Sequence, residues 1–221
     1  MPRRLPLFPL SLVLFPGTPL PLHIFEPRYR RLLTDVQAGD GCFGVVPFDS
    51  STEVPPLGTV GSVARVVAAD ALPDGRSNIL VHGERRFYVV RYADPGTPYH
   101  VGDVEEIDDL AGTEPAPADL AALRAAGGRY VDLLNMLTDT GTPDRADDLD
   151  AEALSFRVAA ALDVDTAAKQ HLLTLRSTAE RVALLRDLLP PITAAAERAV
   201  AVHRRAHRNG QGGQHPNVVT G

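Results

Sequence analysis

The hydrophobic pattern of this chain changes character once, at the segment TEPAP, Thr113 to Pro117. Before it, short β-branched and aromatic runs are separated by Gly, Pro and Asp; after it, alanine and leucine dominate at helical spacing. A period of two specifies strands and a period near 3.6 specifies helices, so the chain carries two kinds of layer. The expected class is α+β: a β-rich lobe over residues 1–112, an α-helical bundle over residues 118–207 and a disordered tail over residues 208–221.

Seven strands are predicted in the first part: Leu5 to Phe8, Leu20 to Ile24, Cys42 to Phe48, Gly58 to Asp70, Ser77 to His82, Arg86 to Tyr92 and Tyr99 to Glu106. LPDGR, Leu72 to Arg76, has hairpin chemistry, with proline presetting one corner and glycine supplying positive φ at the next. Gly83 reads as a tight turn or bulge. So many short strands point to a closed or nearly closed small barrel, because closure removes exposed edges. One helix interrupts them, its buried face marked by Tyr29, Leu32, Leu33 and Val36.

The second part predicts helices across Leu120 to Leu137, weakened by Gly127 and Gly128, across Ala151 to Leu162 and across Thr166 to Leu173. Ser177 and Glu180 form a capping box that opens a fourth. Pro190 and Pro191 are predicted to end or kink it, with helix resuming over Thr193 to His207.

Composition narrows the chemistry. Among 221 residues, 44% are apolar, enough for a core, and a formal net charge of -6 disfavours nucleic acid and anionic membrane as partners. Arg198, Arg204, Arg205 and Arg208 read as a solvated basic end. The apolar N-terminal run is broken by Pro6, Pro9, Pro16, Pro19 and Pro21, so neither a signal peptide nor a membrane span is expected, and the expected location is cytoplasmic. A single cysteine, Cys42, excludes an intrachain disulfide and a multi-cysteine zinc site, and its apolar setting predicts a buried thiol.

Lys169 is the only lysine and has no glycine loop before it, which opposes a phosphate-binding P-loop. It reads as solvated rather than as half of a dyad with Ser155 or Ser177. No G-x-S-x-G elbow occurs. His203 and His207 are four apart, but arginine stands where zinc proteases place glutamate, so they read as a solvated helix end. His23, His82 and His100 read as core or rim residues, and the pairs Asp108–Asp109 and Asp147–Asp148 as hydrated. No catalytic residue, metal site or cofactor is expected.

The most polar cluster is HIFEPRYR, His23 to Arg30. Pro27 suits a first helical turn and Glu26 the positive end of the helix dipole. Phe25 and Tyr29 are predicted to point to the core, Arg28 and Arg30 to flank it and Arg31 to face solvent. Glu26, Arg28 and Arg31 are the candidate contact residues should this helix border a recognition surface.

LPLFPL, VLFPG, PLHIFEPRYRRLL, PDGR, ILVHGERRF and PYHVGDVE, followed by VAAALDVDTAAKQHLLTLRSTAERVALLRDLL, together resemble the Lon protease N-terminal domain, also called the Lon substrate-binding domain, over roughly residues 3–189. The resemblance implies a β-rich lobe related to PUA-like pseudobarrels with one inserted helix, joined to a helical lobe. In Lon that domain precedes an ATPase module and a serine-lysine peptidase module, neither of which this sequence contains, so a stand-alone Lon-domain protein is expected. Cereblon-type relatives add a cysteine-bound zinc module that one cysteine cannot build. The resemblance implies a non-catalytic module that recognises unfolded or exposed polypeptide segments, as an adaptor in protein quality control acting with a separate protease. Two alternatives remain open: an RNA-binding PUA-like protein, and an enzyme whose site is assembled only by folding.

Overall fold

The computed structural model describes residues 2–51, 53–93, 96–138 and 148–210, with side chains to residue 205. Six strands and one helix come first: β1 (Arg3–Leu10), β2 (Pro19–Ile24), α1 (Pro27–Ala38), β3 (Cys42–Pro47), β4 (Val60–Ala71), β5 (Ser77–Ala93) and β6 (Val101–Ile107). Their order is β2-β5-β4-β3-β1-β6, and β6 also pairs with β5. Strands β5, β4, β3, β1 and β6 therefore form a closed ring, with β2 added on the first half of β5. β1 and β3 are parallel; the other pairs are antiparallel.

Two of the seven predicted strands are one continuous strand, β5, of 17 residues. Gly83 does not end it. Between the pairs Ser62–Arg86 and Ala64–Gly83, β5 advances by one residue more than β4, which is a bulge. The loop before β2 lies against this point: Gly83 donates its N–H to Thr18 O and accepts from Gly17 N, both at 2.9 Å. A Cβ at Gly83 would collide with the Phe15 carbonyl, so only glycine permits the approach.

Side chains fill the ring. Phe87 is fully buried in it, with Leu5, Leu7, Val63, Val89 and Val104 around it. A Cβ at Gly44 or Gly61 would lie 2.6 or 2.8 Å from the Phe87 ring, so these glycines make the space that the phenyl occupies. Cys42 is buried in the same cluster, as predicted. Outside the ring, Tyr29, Leu32, Leu33 and Val36 of α1 pack on Phe8, Phe43, Ile79 and Val81, with the Tyr29 and Phe8 rings 4.0 Å apart. In the β4–β5 hairpin, Gly75 has φ of 79° and donates to Leu72 O at 2.9 Å, the geometry that the LPDGR motif predicts.

Four helices follow: α2 (Pro117–Thr138), α3 (Ala151–Ala161), α4 (Thr166–Thr174) and α5 (Thr178–Gly210). Asp150 and Asp165 accept from Ala153 N and Ala168 N at 2.8 and 2.7 Å, and Ser177 Oγ accepts from Glu180 N at 3.2 Å, the first half of the predicted capping box. The helix α2 passes through Gly127 because that position is pressed against Val158 of α3, where a Cβ would lie 2.7 Å from a methyl group.

Pro190 and Pro191 lie inside α5 and do not end it. The lost hydrogen bonds cost about 3 kcal/mol per proline. Against this, Val182, Leu185, Leu189, Ala196 and Val200 form one buried stripe that crosses the prolines, and each large aliphatic side chain buried returns about 1.5–3 kcal/mol. Residues 208–210, expected in the tail, are still helical; residues 211–221 lie outside the described residues, as does Asp147, and so do the side chains of His207 and Arg208. Among the described residues, no helix is long and apolar enough to cross a membrane.

Sheet and helices share a buried ionic cluster. Arg86 of β5 and Arg181 of α5, each less than 2% exposed, both bind Asp109, which follows β6. Asp109 is thus not the hydrated residue expected: its side chain is 9% exposed and also accepts from the Thr178 hydroxyl. Arg86 Nη1 donates to Leu173 O and Leu175 O at 2.9 and 2.7 Å; Arg181 donates to Leu175 O at 2.8 Å and to Ser155 Oγ at 2.7 Å. Both guanidinium groups lie over the Phe156 ring, 5.1 and 4.0 Å from its centroid. Burial alone would raise the Asp109 pKa, but the bonds from Arg181 and Thr178 and the charge of Arg86 hold it below the ordinary value.

Removing one partner of a buried pair strands the other charge, so Asp109→Asn is expected to cost about 3–5 kcal/mol in urea denaturation at pH 7. A depressed folded-state pKa stabilises above the unfolded value of about 3.9 and loses that contribution as pH falls through the folded value. The gap between Asp109→Asn and the parent protein should therefore narrow below about pH 4.

Candidate functional site

β2 alternates cleanly. Ile24 is buried and Leu20 and Leu22 half-buried against the α1 core, while Pro19, Pro21 and His23 face outward. Continuing the alternation places Phe25 outward, and it is 58% exposed rather than in the core as predicted. Tyr29, its predicted companion, is buried. The strand register aligns further outward residues: Pro21 is opposite Leu80, Leu80 opposite Ala68 across β4, His23 opposite Asn78 and Pro19 opposite His82. Leu80 is 38% and the neighbouring Val67 54% exposed. The outward residues Pro21, Leu80 and Ala68 therefore form an apolar strip across three strands, with Phe25 exposed on the same face beyond the polar row of His23 and Asn78.

Charged pairs rim this strip. Arg65 pairs with Glu84 at one end, and Arg76 with Asp74 at 2.6 Å near the other. His23 Nδ1 lies 2.7 Å from Asn78 Oδ1 and its Nε2 3.5 Å from Arg76 Nη1, so the Nδ1–H tautomer satisfies both contacts. The His23 and Phe25 rings stack at 6.1 Å.

The three candidate residues predicted from sequence lie at and on α1, which packs against the opposite, inner face of these strands, and they divide between two networks. Glu26 is the N-cap of α1, yet its carboxylate accepts from Arg28 Nε at 3.0 Å instead of capping. Arg28 also donates to Glu53 at 2.9 Å and lies 4.8 Å over the Tyr29 ring. Glu53, held at φ of 63°, has its carboxylate 3.4 Å from His100 as well. Arg31 is in the second network, donating at 2.9 Å to Asp35, which also accepts from the Tyr99 hydroxyl at 2.8 Å.

These charges are committed to neighbours. Burial works against the Arg28 cation, but its bonds to Glu53 and Glu26 outweigh that and leave its pKa raised. Asp35 is lowered by the Tyr99 bond and then by Arg31, and Tyr99 is pushed up to about 12 by burial and by Asp35. Arg31 and Arg30 also line a groove of about 560 Å³ with Pro27, Thr34 and Gly75, between α1 and the β4–β5 hairpin.

Lys169 departs from its predicted solvated state. It is half-buried, its Nζ donates to Ala160 O at 3.1 Å at the end of α3, and burial lowers its pKa. Ser155 is engaged by Arg181, and Ser177 caps α5. Among the described residues, no three His, Cys, Asp or Glu side chains are grouped as metal ligands would be.

The sequence matches the family model of the ATP-dependent protease La (LON) substrate-binding domain over residues 4–190. The chain belongs to this family. It is similar to Lon protease of Cytophaga hutchinsonii, at 34% identity over 40% of this chain and 11% of that one. It is similar to Lon protease 2 of Myxococcus xanthus at 28% identity over 86% of this chain and 24% of that one. The chain thus spans a quarter or less of the length of these curated relatives. A Lon N-terminal domain protein from Xanthomonas campestris superposes with a TM-score of 0.64 at 25% identity, covering 85% of this chain and 99% of that one. The N-terminal domain of Mycobacterium avium complex Lon protease shares the fold, with a TM-score of 0.66 at 19% identity over 85% and 98% of the two chains.

Strip and scaffold are separable by mutation. Phe25→Ser is expected to move stability by no more than about 0.5 kcal/mol, as for an exposed residue. Leu32→Ala, on the buried face of α1, is expected to cost about 2–5 kcal/mol, both read from urea midpoints.

Proposed function

We propose that this Lon-domain protein is a non-catalytic polypeptide-recognition module, which holds exposed apolar or unfolded segments of other proteins on the outer face of β2, β5 and β4. The observation that carries this reading is the outward strip of Pro21, Leu80 and Ala68 with the exposed Phe25 beyond it, on a chain of a substrate-binding family. Unfolded segments differ from folded surfaces chiefly in the apolar side chains they present, and such a strip removes that area from water without demanding one sequence. Charged margins suit the polar residues that accompany any apolar segment. Glu26, Arg28 and Arg31, which follow Phe25 on the α1 side of the sheet, are secondary candidate contacts, with Arg31 the most accessible of the three.

The non-catalytic reading is supported by a family match confined to the substrate-binding part of Lon, and by a sole lysine whose ammonium is spent on a helix end. An adaptor role in cytoplasmic quality control, delivering captured polypeptides to a separate protease, follows from the same reading.

Fluorescence anisotropy with labelled, permanently unfolded polypeptides tests it. Micromolar binding by the parent protein and an affinity at least tenfold weaker in Phe25→Asp/Leu80→Asp are expected, with the thermal midpoint unchanged. Glu26→Lys and Arg31→Glu should shift affinity by a smaller factor; equal binding would reduce both to scaffolding. Absence of binding by the parent protein overturns the proposal, and strongly salt-dependent RNA retention on filters would replace it.

A further inference from the structure

The strip ends at the edge strand β2, whose second edge has no strand partner among the described residues. The hydrogen bond from Gly83 N to Thr18 O fixes which main-chain groups face β5. By alternation, the groups of Leu20, Leu22 and Ile24 also face β5, while those of Pro19, Pro21 and His23 face outward. Two of these three outward residues lack an N–H. The free edge therefore offers three carbonyl acceptors and one donor, and two pyrrolidine rings occupy the places where an added strand would seek donors. At the opposite margin of the same three strands, β4 beyond Val66 faces α1 across a groove of about 540 Å³ lined by Gln37, Asp40 and Val67.

We infer that Pro19 and Pro21 bar strand addition at β2, so that a polypeptide on the adjoining strip is held by its side chains and not by its main chain. The inference deepens the function proposed above and rests on it for the identity of the ligand. An unfolded chain is rich in unpaired main-chain groups, and an open sheet edge beside an apolar strip would draw it into a continuous ladder. Such a complex selects for β-propensity and releases slowly. Side-chain capture instead leaves the bound backbone solvated, so segments containing proline or poor strand formers are accepted equally.

Two measurements test this. In the first, sedimentation compares the parent protein with Pro19→Val/Pro21→Val, whose fold is checked by far-UV circular dichroism. Restored donors are expected to make the variant self-associate at concentrations at least tenfold below those of the parent protein; unchanged association overturns the inference. In the second, anisotropy compares an apolar peptide with its counterpart N-methylated at alternate residues, which cannot add as a strand. Affinities within twofold of each other support side-chain capture, and a tenfold loss on methylation overturns it. Should neither peptide bind the parent protein, the proposed function fails while sedimentation still decides the state of the edge. Should the valine variant not fold, the peptide pair decides alone.

Discussion

Burying two guanidinium groups within a few ångströms of each other is possible here because one carboxylate, two main-chain carbonyls and a serine hydroxyl receive their hydrogens. The carboxylate of Asp109 leaves the barrel on the segment after β6, Arg86 comes from β5, and Arg181 comes from the first turn of α5. Each element is anchored to the others through a buried charge that would be left uncompensated if its partner were removed. The same cluster orders the chain entering α5, since Leu173 and Leu175 supply their carbonyls to it. Orientation of helices against sheet is thus set by directional bonds, while the apolar core around Phe15, Val60, Leu154 and Leu185 supplies the bulk of the burial.

The sequence disclosed what has a short period. Helical stripes placed α3 and α4 to within a residue and marked the buried face of α1, and LPDGR placed its hairpin, because those signals are local. What it concealed depends on partners distant in the chain. Asp109 looks hydrated beside Asp108 until Arg86 and Arg181 arrive from 23 and 72 residues away. Pro190 and Pro191 carry strong local stop signals, yet the stripe from Val182 to Val200 overrides them through packing that no local window weighs. At Gly83 the glycine was visible and its cause was not, because the colliding carbonyl belongs to Phe15.

The candidate site was half legible. HIFEPRYR drew notice for its charges, and the spacing of Tyr29, Leu32 and Val36 invited Phe25 into the helical stripe as a member. Phe25 belongs to the preceding strand's alternation instead, and the parity of PLPLHI places it on the outer face with Pro21 and His23. That signal was present in the sequence, but a helical and an extended pattern meet at this residue and predict opposite faces. Leu80 had no such signal, since NILVH reads equally well as a strand buried on both sides; only its register with Pro21 and Ala68 makes it part of a strip.

Closure of the barrel leaves its interior packed: Phe87 fills the ring, and Gly44 and Gly61 are shaped around it. β2 and the distal parts of β4 and β5 extend beyond the ring. The strip lies on that extension, which is tied to the rest by α1 on its inner side. The inner side of that extension is covered by Ile24, Ile79, Val81 and the buried face of α1, so the outward strip stands on a packed support rather than on a free hairpin.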